Sequence, residues 1–277
     1  MCGTCGCGEA GVRVTELGTA APAHGHGHGH ASGHGHTPGD GHVPGDGHVP
    51  GAGRVVALEE DILGANDALA AENRRVLTER GVLAVNLMSS PGSGKTTLLV
   101  RTLVDVGAEL RMSVVEGDQE TLLDAERVGA TGARVVQVNT GAGCHLDATM
   151  LARAMTALAP SPGSVMVVEN VGNLVCPALF DLGEAARVVV MSVTEGADKP
   201  LKYPHMFRTA DLVLLNKVDL LPYVDFDVAT WTAAVERVRP GVEVLSVSAT
   251  RGDGLDTWYA WLRAGIASRR GGTATSV

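Results

Sequence analysis

The sequence lacks the features of several broad classes of protein. It has no basic excess: 22 Lys and Arg stand against 31 Asp and Glu, a formal net charge of −9, whereas a nucleic-acid-binding domain carries a basic face. No apolar run is long enough to span a bilayer, and the first residues lack the basic-then-apolar pattern of a secretory signal. We therefore expect neither nucleic acid nor membrane as a partner, and a cytoplasmic location, where cysteines remain thiols.

The N-terminal region lacks the large apolar side chains that a packed core requires. Residues 1–53 are mostly Gly, His, Pro and Ala, too few apolar groups to offset the entropy of ordering the chain. They are predicted to form a disordered Cys/His-rich tail. Residues 54–80 carry apolar side chains at close to helical spacing, which predicts a helical lead-in. Residues 81–277 remain as the main domain, long enough for one substantial core.

Short apolar runs alternate with helical stretches in this main domain. The predicted strands are Val82–Met88, Met112–Val115, Arg134–Val138, Val165–Val168, Val188–Val193, Leu212–Leu215 and Val244–Val247. The predicted helices are Leu98–Val106, Leu122–Val128, Leu146–Leu158, Val228–Val238 and Leu255–Ile266. Runs such as VLAVNLM are apolar on both faces, as in a sheet that is covered on both sides. The sequence therefore predicts an α/β fold, a mostly parallel sheet flanked by helices.

The segment SSPGSGKTT, Ser89 to Thr97, follows the first of these strands and precedes a helix. The phosphate-loop pattern is Gly, four residues, then Gly-Lys-Ser/Thr, and here Ser89 stands in place of the first Gly. Glycines let the backbone N–H groups turn toward phosphate oxygens. Lys95 is placed to reach the β- and γ-phosphates, and the Thr96 hydroxyl to ligate Mg²⁺. The alternative is an ordinary glycine-rich turn. The predicted nucleotide-binding residues here are Gly92, Ser93, Gly94, Lys95, Thr96 and Thr97.

Asn216-Lys217-Val218-Asp219 follow a later strand and indicate guanine rather than adenine. A carboxylate at Asp219 can accept hydrogen bonds from guanine N1–H and its N2 amine, a donor pair that adenine lacks. Asn216 is expected to brace the loop, and the Lys217 stem to lie along the base. Ser248-Ala249 offers backbone N–H groups for guanine O6. Taken alone, NKVD is a common surface turn, but the three segments together occur in the order of a GTP-binding domain.

Two carboxylates end predicted strands at the edge where this nucleotide is expected. Asp118 closes the second strand and Glu169 the fourth, and ligands of open α/β sheets lie beyond the carboxyl ends of the strands. Both are candidates to hold Mg²⁺, and Asp118 also to orient the attacking water. Gly172 is a candidate to donate its N–H to the γ-phosphate. The alternative is that these polar groups cap neighbouring helices.

A second candidate metal site combines Cys144 and His145, after the third strand, with Cys176, after the fourth. A Cys/His/Cys set suits a borderline-soft ion such as Zn²⁺ or Ni²⁺, and three ligands leave one coordination position open. The alternative is two buried cysteines and a helix-capping histidine. Because Cys176 shares a loop with Gly172, metal affinity and nucleotide state are expected to be coupled.

The tail holds two further metal-binding candidates. Cys2, Cys5 and Cys7 place three thiols within seven residues, a spacing that lets thiolates converge on one ion, whereas a redox CxxC requires a βαβ context. Eight of the ten histidines fall in residues 24–50, HGHGHGHASGHGHTPGDGHVPGDGHVP. Alternating His-Gly followed by a repeated PGDGHV favours a natural metal-binding tract over a purification tag.

Together these motifs resemble the HypB family, the nickel-incorporation GTPases of [NiFe]-hydrogenase maturation. The resemblance rests on CGTCGC, the His-rich tract, SSPGSGKTT, EGDQET, GCHLD, ENVGNLVCP, EGADKPLKYP and NKVDL. It implies GTP hydrolysis, for which we assign catalytic roles to Lys95 and Asp118, and a homodimer favoured by GTP. It also implies a metal site from Cys144, His145 and Cys176 at the dimer interface, and a tight nickel site from Cys2, Cys5 and Cys7. The implied partners are a HypA-type nickel- and zinc-binding protein and the hydrogenase large-subunit precursor.

The resemblance also gives the His-rich tract a role. Imidazole pairs separated by one glycine provide many weak, exchangeable nickel sites, which suits storage. Two rival functions remain open at this point. One is a nickel storage protein whose GTPase core serves only for dimerisation, and the other is a GTPase that matures another nickel enzyme, such as urease.

Overall fold

A computed structural model of the chain describes residues 13–17, 52–118, 123–141 and 143–272. Cys2, Cys5, Cys7 and the His-rich tract lie outside the described residues, so their predicted roles stay predictions. The strands are β1 (Arg13–Leu17), β2 (Leu83–Ser89), β3 (Ser113–Asp118), β4 (Arg134–Asn139), β5 (Val165–Glu169), β6 (Ala186–Ser192), β7 (Leu212–Asn216) and β8 (Glu243–Ser246).

These strands form one eight-stranded sheet in the order β1-β4-β3-β5-β2-β6-β7-β8. All neighbouring pairs are parallel except β1 with β4. Most strand residues are buried, because a parallel sheet is covered by helices on both faces and its strands are correspondingly apolar. The predicted fold class, an α/β protein with a mostly parallel sheet, is confirmed.

Helices cover both faces of the sheet. They are α1 (Ala52–Glu79), α2 (Lys95–Val106), α3 (Leu123–Gly129), α4 (Ala148–Leu158), α5 (Lys199–Lys202), α6 (Pro204–Arg208), α7 (Val228–Val238) and α8 (Leu255–Gly272), with 3₁₀ turns at Cys176–Ala178 and Val218–Tyr223. Side chains of α2, α3 and α8 pack with one face. On the other face, α1 and α4 cover one half of the sheet, and α6 and α7 cover the other half.

The strand β1 departs from the expectation that residues 1–53 have no regular structure. It pairs antiparallel with β4, from Arg13 opposite Asn139 to Leu17 opposite Val135. The pairing satisfies the backbone groups of β4, which is otherwise an open edge. Half-buried Val14 also packs against the core on the α4 side. Five residues of the tail therefore belong to the sheet.

The remaining elements follow the predictions, with two omissions. The helical lead-in forms as α1, which begins at Ala52, and α8 continues past the predicted Ile266 to Gly272. The short helices α5 and α6 were not predicted, because each is close to one turn long and begins at or beside a proline, which leaves no periodicity to detect. None of the described helices combines the length and apolar character needed to cross a bilayer.

Candidate functional site

The loops after the carboxyl ends of the central strands enclose a cavity of about 550 Å³. Parallel strands place these ends at one edge of the sheet, where ligands of open α/β folds bind. Most of the sequence-predicted nucleotide residues meet there. The lining residues are Ser89 to Thr97, Glu116, Gly117, Asp118, Asp124, Arg127, Glu169 to Gly172, and Lys217.

Two glycines determine the backbone path of the phosphate loop. Gly92 has φ +76° and Gly94 has φ +90°, a left-handed conformation that costs glycine little and other residues more. Gly94 has a second constraint, because a Cβ built there would lie 2.6 Å from Asn216 Nδ2. Only glycine therefore fits at position 94, where the loop passes into the N-terminus of α2.

Lys95 and Thr96, the first residues of α2, both contact Glu169 at the end of β5. Lys95 Nζ lies 3.1 Å from Glu169 Oε1, and the Thr96 hydroxyl donates to the same oxygen at 2.6 Å. The Glu169 side chain is 2% exposed and that of Lys95 is 11% exposed, so little solvent screens this ion pair. Glu169 thus takes the place near Thr96 that the strand-end argument predicted.

Further carboxylates surround this ion pair. Asp118, at the end of β3, lines the cavity, and so does Asp124, which accepts from the Thr96 hydroxyl at 3.1 Å. Glu116 is 3% exposed and lies beside Glu169 in the β3–β5 register. Burial, together with the negative charges of Glu169, Asp118 and Asp124, raises the pKa of Glu116 to about 8. The cavity therefore concentrates negative charge around one hydroxyl.

This donor set fits Mg²⁺, which prefers carboxylate, hydroxyl and phosphate oxygens. Glu116 Oε2 and Glu169 Oε2 are buried and have no hydrogen-bond partner among the described residues. Buried carboxylate oxygens without partners are costly unless a cation or a donor satisfies them. Thr96, Asp118 and Glu169 are therefore suitable Mg²⁺ ligands, directly or through water.

The guanine-binding candidates are joined to the phosphate loop through Asn216. Its amide donates to Ser93 O at 3.0 Å, and its Oδ1 accepts from Ala249 N at 3.1 Å. Lys217, with φ +60°, donates to Gly92 O at 2.6 Å. Asn216 thus occupies the bracing position that the sequence predicts, and the Lys217 side chain crosses over the phosphate loop.

The three remaining guanine-binding candidates, Asp219, Ser248 and Ala249, already have partners inside the protein. The Ser248 hydroxyl donates to Asp219 Oδ1 at 2.6 Å, which orients the carboxylate. The Ser248 N–H donates to Asp253 O at 2.9 Å. Since Ala249 N–H is donated to Asn216, its predicted bond to guanine O6 requires that this N–H be shared or released.

Cys144, His145 and Cys176 come together as predicted. Their ligand atoms all lie within 4.8 Å of one another, with Cys144 Sγ 2.9 Å from Cys176 Sγ and 3.7 Å from His145 Nδ1. The two cysteines are not joined to each other by a disulfide. Two sulfurs and one imidazole can converge on a single ion such as Zn²⁺ or Ni²⁺.

The His145 ring is held in an orientation and a charge state suited to metal binding. It is 6% exposed and stacks on Phe180 with ring centroids 4.0 Å apart. Burial lowers the pKa of His145, and the nearby Asp147 opposes that shift. A lowered pKa keeps the imidazole neutral at physiological pH, which is the form that ligates metals.

Sequence reasoning missed several polar residues at or beside the nucleotide cavity. Glu116 lies two positions before Asp118 on a strand, so a period of two places both side chains on the same face and would have identified it. Asp124 and Arg127 lie on α3, where Arg127 donates to Asp124 at 3.0 Å and to Thr97 Oγ1 at 3.4 Å. Glu195 accepts from the Ser90 hydroxyl of the phosphate loop, a contact between distant segments that no local pattern reveals.

Comparison with known proteins identifies relatives of this chain. The family model for the CobW/HypB/UreG nucleotide-binding domain matches residues 83–246, a range that contains the phosphate loop and the Cys144, His145 and Cys176 cluster. The hydrogenase maturation factor HypB of Rhizobium leguminosarum bv. viciae is 59% identical over 212 residues, which are 76% of this chain and 71% of that protein.

Two solved structures resemble the chain at the level of the whole fold. HypB from Archaeoglobus fulgidus superposes with a TM-score of 0.69 at 40% identity and covers 74% of this chain and 100% of its own. HypB from Helicobacter pylori, solved in complex with nickel, superposes with a TM-score of 0.69 at 36% identity and covers 77% of this chain and 99% of its own.

Proposed function

The chain belongs to the HypB family of hydrogenase maturation factors, and on this premise we propose that it hydrolyses GTP to control delivery of nickel to a [NiFe]-hydrogenase large-subunit precursor. One observation carries the proposal. Glu169, which lines the nucleotide cavity, ends β5, and the loop that follows supplies Cys176 to the metal cluster seven residues later. A change at the nucleotide can therefore act on the loop that carries a metal ligand.

Selection of GTP is assigned to Asp219. Its carboxylate is oriented by Ser248 and lies two residues beyond Lys217, which lines the cavity. Guanine offers the carboxylate two N–H donors, whereas adenine leaves it unpaired. Asn216 fixes this loop against the phosphate loop, so base and phosphate recognition form one rigid unit.

Hydrolysis is assigned to the groups around Lys95. Attack of water on the γ-phosphorus breaks the bond to the β–γ bridging oxygen and releases GDP and phosphate. Thr96, Asp118 and Glu169 would hold Mg²⁺, which would neutralise part of the phosphate charge. Lys95 leaves Glu169 to donate to the β- and γ-phosphate oxygens, the N-terminus of α2 adds its positive end, and Asp118 at the cavity wall orients the attacking water.

Nickel is the cargo, and three places on the chain are assigned to it. The Cys144, His145 and Cys176 cluster binds Ni²⁺ or Zn²⁺ with one coordination position open for transfer. The thiols of Cys2, Cys5 and Cys7 form a tighter site, and the histidines of residues 24–50 form a store of weak sites. Both tail sites lie outside the described residues and rest on ligand chemistry and on the family.

The family also guides the proposed assembly. We expect a homodimer favoured by GTP with the Cys144, His145 and Cys176 cluster at its interface. A HypA-type nickel-binding protein is the expected immediate partner, with the large-subunit precursor as the final acceptor. The thiol ligands require a reducing compartment, which makes the cytoplasm the proposed location.

The principal rival is nickel storage with the GTPase core serving only for dimerisation, and nickel release separates the two functions. The full chain is loaded with nickel and mixed with a chromogenic chelator and GTP, GDP or a non-hydrolysable GTP analogue. Delivery predicts faster release with GTP than with the other nucleotides, and loss of that difference in Lys95→Ala, which keeps every metal ligand. Equal release rates with all three nucleotides would favour storage.

A further inference from the structure

Two asparagine side chains bridge the nucleotide cavity and the metal cluster. Asn170 directly follows Glu169 and is 1% exposed. Its Oδ1 accepts from Leu146 N at 3.2 Å and from Val171 N at 2.9 Å. Leu146 directly follows the candidate metal ligand His145, just as Asn170 directly follows Glu169. The Asn170 carboxamide therefore links the strand end at the nucleotide cavity to the metal-binding loop.

Asn173 makes the second bridge from the same loop. Its Nδ2 donates to Cys144 O at 3.3 Å, and its Oδ1 accepts from Val175 N at 2.9 Å, beside Cys176. The bonds from Asn170 and Asn173 therefore flank His145, at the carbonyl of Cys144 before it and the N–H of Leu146 after it. Both bonds reach backbone groups, so they set the path of the metal-binding loop rather than the rotamer of one ligand.

The front of this bridge lies against the phosphate loop. A Cβ at Gly172 would lie 3.1 Å from Pro91 Cα and 3.2 Å from Pro91 N, a spacing with little room to spare. Glu169, at the start of the same loop, holds Lys95 and Thr96. A γ-phosphate that draws Lys95 away from Glu169 therefore changes a contact at the start of the segment that contains Asn170, and the other end of that segment is packed against the phosphate loop.

The rear of the bridge is anchored in the core. Asn170 Nδ2 donates to Asn86 Oδ1 at 3.4 Å, and Asn86 is fully buried. Asn86 in turn donates to Glu184 at 3.2 Å, which Arg187 holds at 2.6 Å. The bond to Asn86 prevents the Asn170 carboxamide from rotating freely. A shift of the loop backbone therefore moves the backbone N–H groups that Asn170 binds, at Leu146 and Val171.

The metal-binding loop has separate contacts with the opposite wall of the nucleotide cavity. A Cβ at Gly117 would lie 2.8 Å from Leu146 Cδ1, so the Leu146 side chain rests directly on the β3 backbone. Thr140 N donates to Asp118 O at 2.9 Å. These contacts hold the loop against β3, whereas Asn170 and Asn173 hold it against the loop after β5. Relative movement of the two walls must therefore alter the loop that carries Cys144 and His145.

We propose that Asn170, assisted by Asn173, is the positioning residue that couples nucleotide state to the geometry of the Cys144, His145 and Cys176 cluster. The inference rests on the proposed function and deepens it by naming the physical connection. Neither asparagine needs to touch nucleotide or metal. A coupling of the usual size between two sites changes the affinity or reactivity at one of them about 5- to 150-fold when the other is occupied.

The test compares thiol reactivity in two nucleotide states. Metal-free full chain is saturated with GDP or with a non-hydrolysable GTP analogue and treated with an alkylating reagent, and peptide mapping follows Cys144 and Cys176 separately from the tail cysteines. The wild-type protein is expected to show rates at Cys176 that differ about 5-fold or more between the two states. In Asn170→Ala this ratio, measured at nucleotide concentrations that saturate the variant, should fall toward one. A purely structural loss would change both rates together and leave the ratio unchanged.

Asn73→Ala is the matched control. Asn73 is 4% exposed and donates to Ala148 O at 2.8 Å and to Leu182 O at 3.0 Å, so it is a buried asparagine that holds the start of α4, and its hydrogen bonds reach neither residues 170–176 nor the metal ligands. It should lose stability and keep the wild-type ratio. If Asn170→Ala does not fold, Asn173→Ala, at a partly exposed position, serves in its place and should lower the ratio in part.

The outcomes separate this inference from the proposed function. A wild-type ratio that persists in the folded asparagine variants would overturn the role of the bridge and leave GTP-controlled delivery intact. A wild-type ratio of one, with nickel release that still depends on GTP hydrolysis, would overturn the bridge while delivery stands by another route. A ratio of one together with nucleotide-independent release would overturn both.

Discussion

The nucleotide cavity and the metal cluster share one edge of the sheet but use opposite kinds of ligand chemistry. The cavity presents carboxylates, a hydroxyl and the cations Lys95 and Arg127, groups that suit phosphate and Mg²⁺. The cluster presents two sulfurs and the imidazole of His145, stacked on Phe180, groups that suit nickel and zinc. The difference lets each site select its own cation although a single loop serves both.

The two regions are also held together differently. The phosphate loop depends on backbone conformations that only glycine allows, as at Gly94. The metal cluster depends on side-chain hydrogen bonds from Asn170 and Asn173 to an adjacent loop. Substitutions should therefore disable either region separately, and the predictions below test that separation, beginning with the largest expected effect.

Lys95→Ala should abolish most hydrolysis and leave the metal cluster unchanged. Lys95 stabilises charge on the transferred phosphate, and removal of one such donor costs about 10²- to 10³-fold in kcat. Phosphate release measures the effect, and nickel titration checks the cluster. Lys202→Ala is the control, a surface lysine whose side chain is 63% exposed and paired only with Asp198 among the described residues. Loss of nickel binding in Lys95→Ala would show that the two regions are not separable.

Cys176→Ala should weaken the metal cluster and leave nucleotide binding unchanged. Loss of one of three ligands should weaken nickel binding at the cluster by at least the 10- to 100-fold that is typical for loss of a supporting group around a metal. GTP affinity should stay within about 3-fold, because a coupling between sites is expressed only when both are occupied. Isothermal titration of the full chain with nickel, and separately with nucleotide, measures both. Val175→Ala, at the exposed neighbouring position, should change neither.

Asp219→Asn should sharpen the distinction between base and phosphate recognition. An amide cannot pair with both guanine donors, so GTP affinity should fall about 10- to 150-fold, in line with 1.5–3 kcal/mol for hydrogen bonds to a charged group. Competition by ATP should then become detectable. Competition binding with a fluorescent nucleotide measures this, with exposed Asp225→Asn as the control. Unchanged discrimination would remove Asp219 from the base site.

The sequence predicted most of the elements that make these sites. Local residue patterns predicted the phosphate loop and the NKVD segment. They also predicted most strands and helices, with approximate bounds. Cys144, His145 and Cys176 were brought together by one further step, the rule that parallel strands end at a common edge. Each of these predictions depends on residues close in sequence or on strand order alone.

The sequence could not predict contacts that join distant segments through side chains. The hydrogen bond of Glu195 with Ser90 and that of Asn170 with Leu146 depend on loop conformations that no periodicity encodes. β1 was missed for a related reason, because its five residues gain stability only from pairing with the edge of β4, an interaction invisible in the local sequence.

The effect of Glu116→Gln on the free energy of unfolding should be smallest near pH 5 and should grow as pH rises. In the protein without nucleotide or Mg²⁺, burial and neighbouring carboxylates raise the pKa of Glu116 from 4.5 to about 8. Below pH 4.5 both the folded and unfolded states hold the proton, and the stability from this group is fully present. Between 4.5 and about 8 the unfolded state ionises first, so the free energy of unfolding falls as pH rises, by at most about 1.4 kcal/mol per pH unit.

Glutamine does not ionise, so Glu116→Gln should match wild type at pH 5 and exceed its stability at pH 8. Urea unfolding of chelator-treated protein at pH 5, 6, 7 and 8 measures the difference, with exposed Glu243→Gln as the control. Parallel pH profiles for wild type and Glu116→Gln would mean that Glu116 ionises normally. The nucleotide cavity would then store less electrostatic repulsion than its crowded carboxylates indicate, and the contrast with the Cys/His metal cluster would rest on ligand type alone.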